Sequence, residues 1–138
     1  MNQNKLMQLA TQANGKLWVC NVYFATDSDA NIYWTSARDR RHSKEIEHCS
    51  DVAATIVHSA ERKQAIQISG VAERIPVKLS QPADDIYSKK FGHKDSRMQE
   101  VLQDTPQSRA YWILKPSLIE LWDEVNFPDS PKQQVNLN

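Results

Sequence analysis

Glycine is scarce: only Gly15, Gly70 and Gly92 occur in 138 residues, so neither a Gly-x-Gly-x-x-Gly fingerprint nor a Walker loop can be assembled. Cysteine is scarcer still. Cys20 and Cys49 stand alone, with no Cys-x-x-Cys pair, which argues against a structural zinc site and supplies no disulfide framework. His42, His48, His58 and His93 are scattered, and the one close group, His42, His48 and Cys49, lacks a further ligand, so no metal is expected. No charge of either sign predominates, since 17 Lys and Arg balance 17 Asp and Glu. The chain as a whole therefore exerts no pull on nucleic acid or an anionic membrane, and any anion site must be local. No apolar run approaches the roughly 18 residues of a membrane span, and the start MNQNKLMQ lacks the charged-then-apolar plan of a signal peptide; the expectation is a cytoplasmic protein. Nothing resembles a catalytic triad or a general-base dyad, and no catalytic residue can be named.

What is present is an ordinary globular composition, with 40% hydrophobic and 25% charged residues. The length suits one domain, read as residues 1–128, followed by a polar tail at 129–138 that is unanchored unless a partner subunit holds it. Residues 2–8 read as a short helix. Asn14-Gly15 between two apolar runs signals a hairpin, because both residues tolerate positive φ. Ile32 to Ser36 reads as a third strand, Asp39 to Cys49 as a helix with Ile46 and Cys49 inward and its charged residues outward, and Asp51 to His58 as a strand. Ala65 to Ile75 alternates apolar and polar residues, with Gly70 marking a bulge or bend. Segment 79–103 has helical spacing broken at Gly92. Two final strands, 110–114 and 117–122, bend at Lys115-Pro116. The sum is a mainly β, α+β class protein, an antiparallel barrel with helices at its rim.

The chemistry concentrates between Ile32 and Ile46. There an aromatic strand runs into the hydroxyls of Thr35 and Ser36 and then into a cationic helix start carrying Arg40, Arg41, His42, Ser43 and Lys44, a combination suited to phosphate. Taken alone, the segment reads rather as a solvated helix start with salt bridges to Asp39 and Glu45, and it is the surrounding pattern that favours the phosphate. Trp18, Trp34, Trp112 and Trp122 read as core or interface residues.

In this order, Leu9-Ala10-Thr11 with Asn14-Gly15 and Trp18 to Val22, Ile32 to Ser36, His42 to Ile46, Val52 to Ile56, Ile66 to Ala72 and Ile119-Glu120-Leu121-Trp122 resemble the pyridoxamine 5'-phosphate oxidase-like superfamily of FMN-binding split barrels. The resemblance spans most of residues 9–122. It implies a homodimer with FMN at the subunit interface and a small-molecule substrate. By resemblance, Val19, Cys20, Asn21 and Val22 lie along the flavin ring, Thr35 and Ser36 approach the ribityl phosphate, and Arg41, His42, Ser43 and Lys44 hold the phosphate. The family glutamine five residues before the strand glycine falls on Ala65, leaving Gln67 or Gln64 as its nearest equivalent; Trp122 or Trp112 can reach the opposite subunit's flavin, and by the same resemblance Tyr87, Phe91, His93 and Lys94 border the substrate opening as the packing face of a lid. The family's Arg-Leu-His-Asp-Arg signature is missing: Asp123-Glu124-Val125-Asn126-Phe127 follows Trp122 instead, so pyridoxamine phosphate itself is not the expected substrate. The expectation is an FMN-dependent oxidoreductase. Its alternatives are a non-catalytic flavin- or haem-binding storage or sensor protein, or a deazaflavin reductase.

Overall fold

A computed structural model describes residues 1–137. The elements, in order, are β1 (Leu6–Ala13), β2 (Lys16–Tyr23), β3 (Ala25–Thr26), β4 (Ile32–Ala37), α1 (Arg41–His48), β5 (Asp51–Ser59), β6 (Gln64–Arg74), α2 (Gln81–Phe91), α3 (Met98–Val101), β7 (Arg109–Asp123) and β8 (Lys132–Val135). They form one antiparallel sheet in the order β2-β1-β5-β6-β7-β4-β3, with β8 added to β7. The sheet curls until β2 approaches β4, but the two do not pair, so the barrel is split along that seam.

Local chemistry explains the first turn. Asn14 at φ 53° and Gly15 at φ 75° make the two-residue turn that fixes the β1–β2 register from Leu6↔Tyr23 to Ala13↔Lys16. Along β1, Met7, Leu9 and Thr11 point inward; along β4, Ile32, Trp34 and Ser36 do so. This period of two builds a core from Met7, Leu9, Phe24, Ile32, Trp34, Ile56, Trp112 and Leu114. The run Ala110 to Leu114 is buried on both faces, because its other side packs under α2 in a smaller core with Ala83, Tyr87, Val101 and Tyr111.

Gly70 sits where β6 slips register against β7, opposite Pro116. A Cβ there would lie 2.3 Å from the Lys115 carbonyl oxygen and 2.9 Å from Pro116 Cα, so close backbone approach requires glycine. Strand β7 nevertheless runs unbroken from Arg109 to Asp123 past Lys115-Pro116, and the irregularity is taken up by the slip.

Three expectations are corrected. Residues 2–8 are not a helix: β1 begins at Leu6, because Met7, Leu9 and Thr11 alternate into the core while the backbone pairs with β2 and β5. The polar tail is not free, since Lys132–Val135 cover the stretch Ile119–Trp122 of β7, which β4 does not reach. On α1, Glu45 turns inward with Ser43 and Ile46, whereas Cys49 is only half-buried. Among the described residues no helix is long and apolar enough to cross a membrane, and no group of three metal-ligating side chains occurs.

Candidate anion cleft at the barrel seam

The seam between β2 and β4 opens into a cleft of about 330 Å³. Asn21, Val22 and Tyr23 line it from the end of β2, Thr35, Ser36 and Ala37 from the end of β4, and Arg40 and His42 from the start of α1; Tyr87, Arg97 and Arg109 close the far side. Of the twelve positions expected from sequence to contact a cofactor, five meet here: Asn21, Val22, Thr35, Ser36 and His42.

The remaining residues of the basic segment do other work. Ser43 is fully buried, and its Oγ donates to the Ala37 carbonyl at 2.8 Å, fastening α1 to the end of β4. Arg41 donates through Nε to Glu45 Oε2 at 3.1 Å, and its guanidinium lies 4.3 Å above the Trp18 ring. Glu45 also accepts from Thr11 Oγ1 at 2.9 Å. Burial opposes ionisation of this carboxyl, but the donors Arg41 and Thr11 and the charges of Arg41 and His42 outweigh it and hold its pKa below the usual carboxylate range. Lys44 is exposed and away from the cleft.

Arg40, Arg97 and Arg109 supply the cleft's cations instead. Arg40 and Arg109 make no ion pair among the described residues, and Arg97 reaches only Glu100, at 3.9 Å. Thr35 Oγ1 is buried without a hydrogen-bond partner, an arrangement that calls for one. His42 Nε2 meets Ser36 Oγ at 2.9 Å. Burial, then the nearby Arg40 charge, lower the His42 pKa from 6.5 against the opposing pull of Glu45, so its imidazole is neutral at pH 7. A neutral imidazole, two hydroxyls from opposite faces of β4 and the unpaired guanidiniums of Arg40 and Arg109 line one opening, and these are groups of the kind that bond an oxyanion.

Val19, Cys20, Gln67 and Trp122 do not line this cleft. Cys20 points toward α1, where burial and the Glu45 charge push its thiol pKa up. Gln67 belongs to a polar row crossing the outer face of the sheet through the pairs Asn21–Gln8, Gln8–Thr55, Thr55–Gln67 and Gln67–Glu120. Three strand spacings separate it from Asn21, about 14 Å. Val19 and Trp122 stand on the same outer face, and Trp122 donates its indole N–H to Glu124 Oε1 at 3.2 Å. Beyond Trp122, Asp123 accepts from Gln64, from Asn126 and from the backbone N–H groups of Val125 and Asn126, making a tight acid-capped turn.

Sequence reading overlooked Arg97 and Arg109 and gave Tyr87 only a packing role. Arg109 pairs with Ala37 across the β4–β7 ladder, a relation between residues far apart in the chain. The only local sign of it was an arginine just ahead of the apolar run Ala110 to Leu114.

No protein-family model and no curated protein matches the chain. Solved structures match its shape. A candidate pyridoxamine 5'-phosphate oxidase from Listeria innocua superposes with TM-score 0.67 at 14% identity, covering 86% of this chain and 89% of that one. HutZ, the haem storage protein of Vibrio cholerae, gives TM-score 0.67 at 18% identity, covering 84% of each chain. A protein of unknown function from Agrobacterium tumefaciens strain C58 gives 0.66 at 15% identity and covers 86% of this chain, which spans only 50% of that longer one. The fold is thus a split β-barrel. It is the split barrel of the pyridoxamine 5'-phosphate oxidase-like proteins, a scaffold that these neighbours share across differently named functions.

Proposed function

We propose that the protein is an FMN-binding oxidoreductase of the pyridoxamine 5'-phosphate oxidase-like type, acting on a small molecule and working as a homodimer. The observation that carries this reading is the convergence of Arg40, His42 and Ser36 at the open seam of a split barrel. Arg40, His42 and Ser36 would hold the cofactor phosphate. The free edge of β2 at Asn21 and Val22 offers backbone N–H and C=O groups to a polar ring edge. A bound flavin would supply the electron transfer, leaving position, electrostatics and exclusion of water to the protein. His42, neutral at pH 7, can take a proton as an anion arrives without a formal charge being buried beforehand.

The homodimer rests on the outer face of the sheet. Leu17 is 78% exposed, Val19 59% and Tyr23 56%, and Leu6, Val57, Val71 and Trp122 extend this apolar surface across β1, β5, β6 and β7. An apolar face of this breadth is the mark of an interaction surface. A second copy covering it would bring Val19, Gln67 and Trp122 into the assembly's interior, as a cofactor site shared between subunits requires.

The test is the absorbance spectrum of freshly purified protein, followed by FMN titration and thermal melting. A flavin spectrum and a raised Tm support the proposal, and turnover with nicotinamide donors completes it. Neither spectrum nor shift at saturating FMN would overturn it. A Soret band on addition of haem would favour a storage protein instead, a reading supported by the fold shared with the Vibrio haem storage protein.

A further inference from the structure

Helix α2 is fastened at two places, and they differ in kind. Its first half is held by packing and by a buried bond: Ala83 and Tyr87 sit in the smaller core with Ala25 and Tyr111, and the Tyr111 hydroxyl donates to Asp84. Its last turn is held by Lys90. The Lys90 ammonium donates to the carbonyls of Asn4 and Phe24, the latter at 2.8 Å, and lies 4.0 Å above the Phe24 ring. Two carbonyls and a ring face account for its three N–H groups, and among the described residues it makes no ion pair. Burial lowers its pKa to about 8, so the ammonium still prevails at pH 7.

Those two carbonyls mark one place in the fold. Phe24 is the single residue between β2 and β3, and its N–H donates to the Lys5 carbonyl at 3.1 Å, next to Asn4 at the entry to β1. Lys90 therefore grips the link through which the chain leaves β2 and crosses to β3. The residues just before that link, Asn21 to Tyr23, form one wall of the seam cleft, and Tyr87, three residues before Lys90 on α2, belongs to the other. Rings bridge the two walls: Tyr23 meets Phe91 edge-on at 6.0 Å, and Phe91 lies 4.7 Å from Tyr87.

Close packing does not fix this end of the helix. Beside Lys90 is a second cavity of about 540 Å³, lined by Thr26, Ser28, Ile86 and Lys89 among others, which shares no residue with the seam cleft. Walls that face a void lose their contacts on that side. Hydrogen bonds from a charged donor, by contrast, are roughly twice as strong as neutral ones. The position of the last turn of α2 therefore depends on Lys90.

We infer that Lys90 is a positioning residue for the seam cleft, a clasp that holds the last turn of α2 to the link after β2 and so fixes the width across which a ligand is gripped. The inference rests on the proposed cofactor site and assigns to Lys90 the control of its breadth.

The experiment compares Lys90→Met, which keeps an unbranched apolar stem and loses every donor, with Lys90→Arg, which keeps charge and donors, and with Gly70→Ala, destabilised on β6 away from the seam. In protein without ligand, Lys90→Met weakens the NMR cross-peaks between the Tyr23 and Phe91 rings. It also speeds exchange of the Phe24 amide at least about tenfold, while amides of the β5–β6 ladder hold their parent rates. FMN affinity, read from flavin fluorescence, falls at least about fivefold in Lys90→Met. In Lys90→Arg and Gly70→Ala it stays within about threefold of the parent. If the methionine variant does not fold, Lys90→Gln takes its place with the same outcomes. FMN losses that follow the urea midpoints of all three variants would overturn the inference, as would ring cross-peaks and Phe24 exchange unchanged in Lys90→Met. FMN that does not bind the parent removes the cofactor proposal alone, and the cross-peaks and Phe24 exchange then decide the clasp by themselves.

Discussion

His42 Nε2 and Ser36 Oγ, 2.9 Å apart, join the start of α1 to the end of β4 at the mouth of the cleft. Burial and Arg40 lower the imidazole's pKa below 6.5, so an arriving anion, which favours the imidazolium, must bind with uptake of a proton. Sulfate affinity should therefore rise as pH falls from 7.5 to 5.5, a range over which sulfate's own charge is fixed. His42→Gln should flatten that dependence in calorimetric titrations, and an unchanged slope in the variant would assign the proton elsewhere.

The Thr11–Glu45–Arg41 network predicts a stability effect independent of ligand. Thr11→Val keeps the volume but leaves a buried Glu45 oxygen without its 2.9 Å donor. The loss should be about 1–3 kcal/mol, measured as a lower urea midpoint at unchanged m-value. A variant as stable as the parent would show that Arg41 alone satisfies the carboxylate.

Gly70→Ala should be severe for a residue with no unusual φ. The added methyl meets main-chain atoms of Lys115 and Pro116, which cannot rotate away as a side-chain end could. Overpacking of this kind typically costs about 1–3 kcal/mol. Thermal melting reads the effect, and a Tm within a degree of the parent would mean that the strands part easily there.

Acid should weaken the C-terminal turn. The hydrogen bonds to Asp123, led by those from Asn126, hold its pKa at about 2, against 3.8 unperturbed. A depressed carboxylate contributes stability that is complete above its unfolded value and lost as pH falls through the folded one. The urea midpoint should thus decline between pH 4 and pH 2, and Asp123→Asn should decline less over that window.

Charging the apolar outer face should split the assembly. Leu17→Glu and Val19→Lys alter side chains that face away from the core and carry none of the cleft's polar groups. Light scattering should report a dimer for the parent and a monomer for the double variant at micromolar concentration. A parent that is monomeric at every concentration would remove the shared-site arrangement.

What could be read from the chain before the fold was seen depended on distance along it. The Asn14-Gly15 turn, the β4-to-α1 junction and the Gly70 irregularity each announce themselves within a few residues. Residues 2–8 misled because Gln and Asn dominate a stretch whose inward positions, Met7 and Leu9, appear only once β2 and β5 are paired beside it. The strand Lys132–Val135 has a single apolar residue and no alternation to reveal it. Within the cleft, the hydroxyls and His42 lie in one short segment and were legible. Arg109 becomes their neighbour only through its pairing with Ala37, seventy-two positions earlier; Ser43 is taken up by the Ala37 carbonyl, which spacing does not show, and Arg41 by Glu45, the i,i+4 partner that spacing does.

The unpaired edge of β2 has a consequence for how such proteins diverge. A strand edge presents the same amide groups whatever side chains it carries, so a ring held there is held by features that mutation does not erase. Side chains around that edge are free to drift as long as the strand keeps its course. The same backbone path recurs in these solved structures at 14–18% identity. A ligand gripped by that edge would therefore be specified by the path of the backbone rather than by any roster of residues.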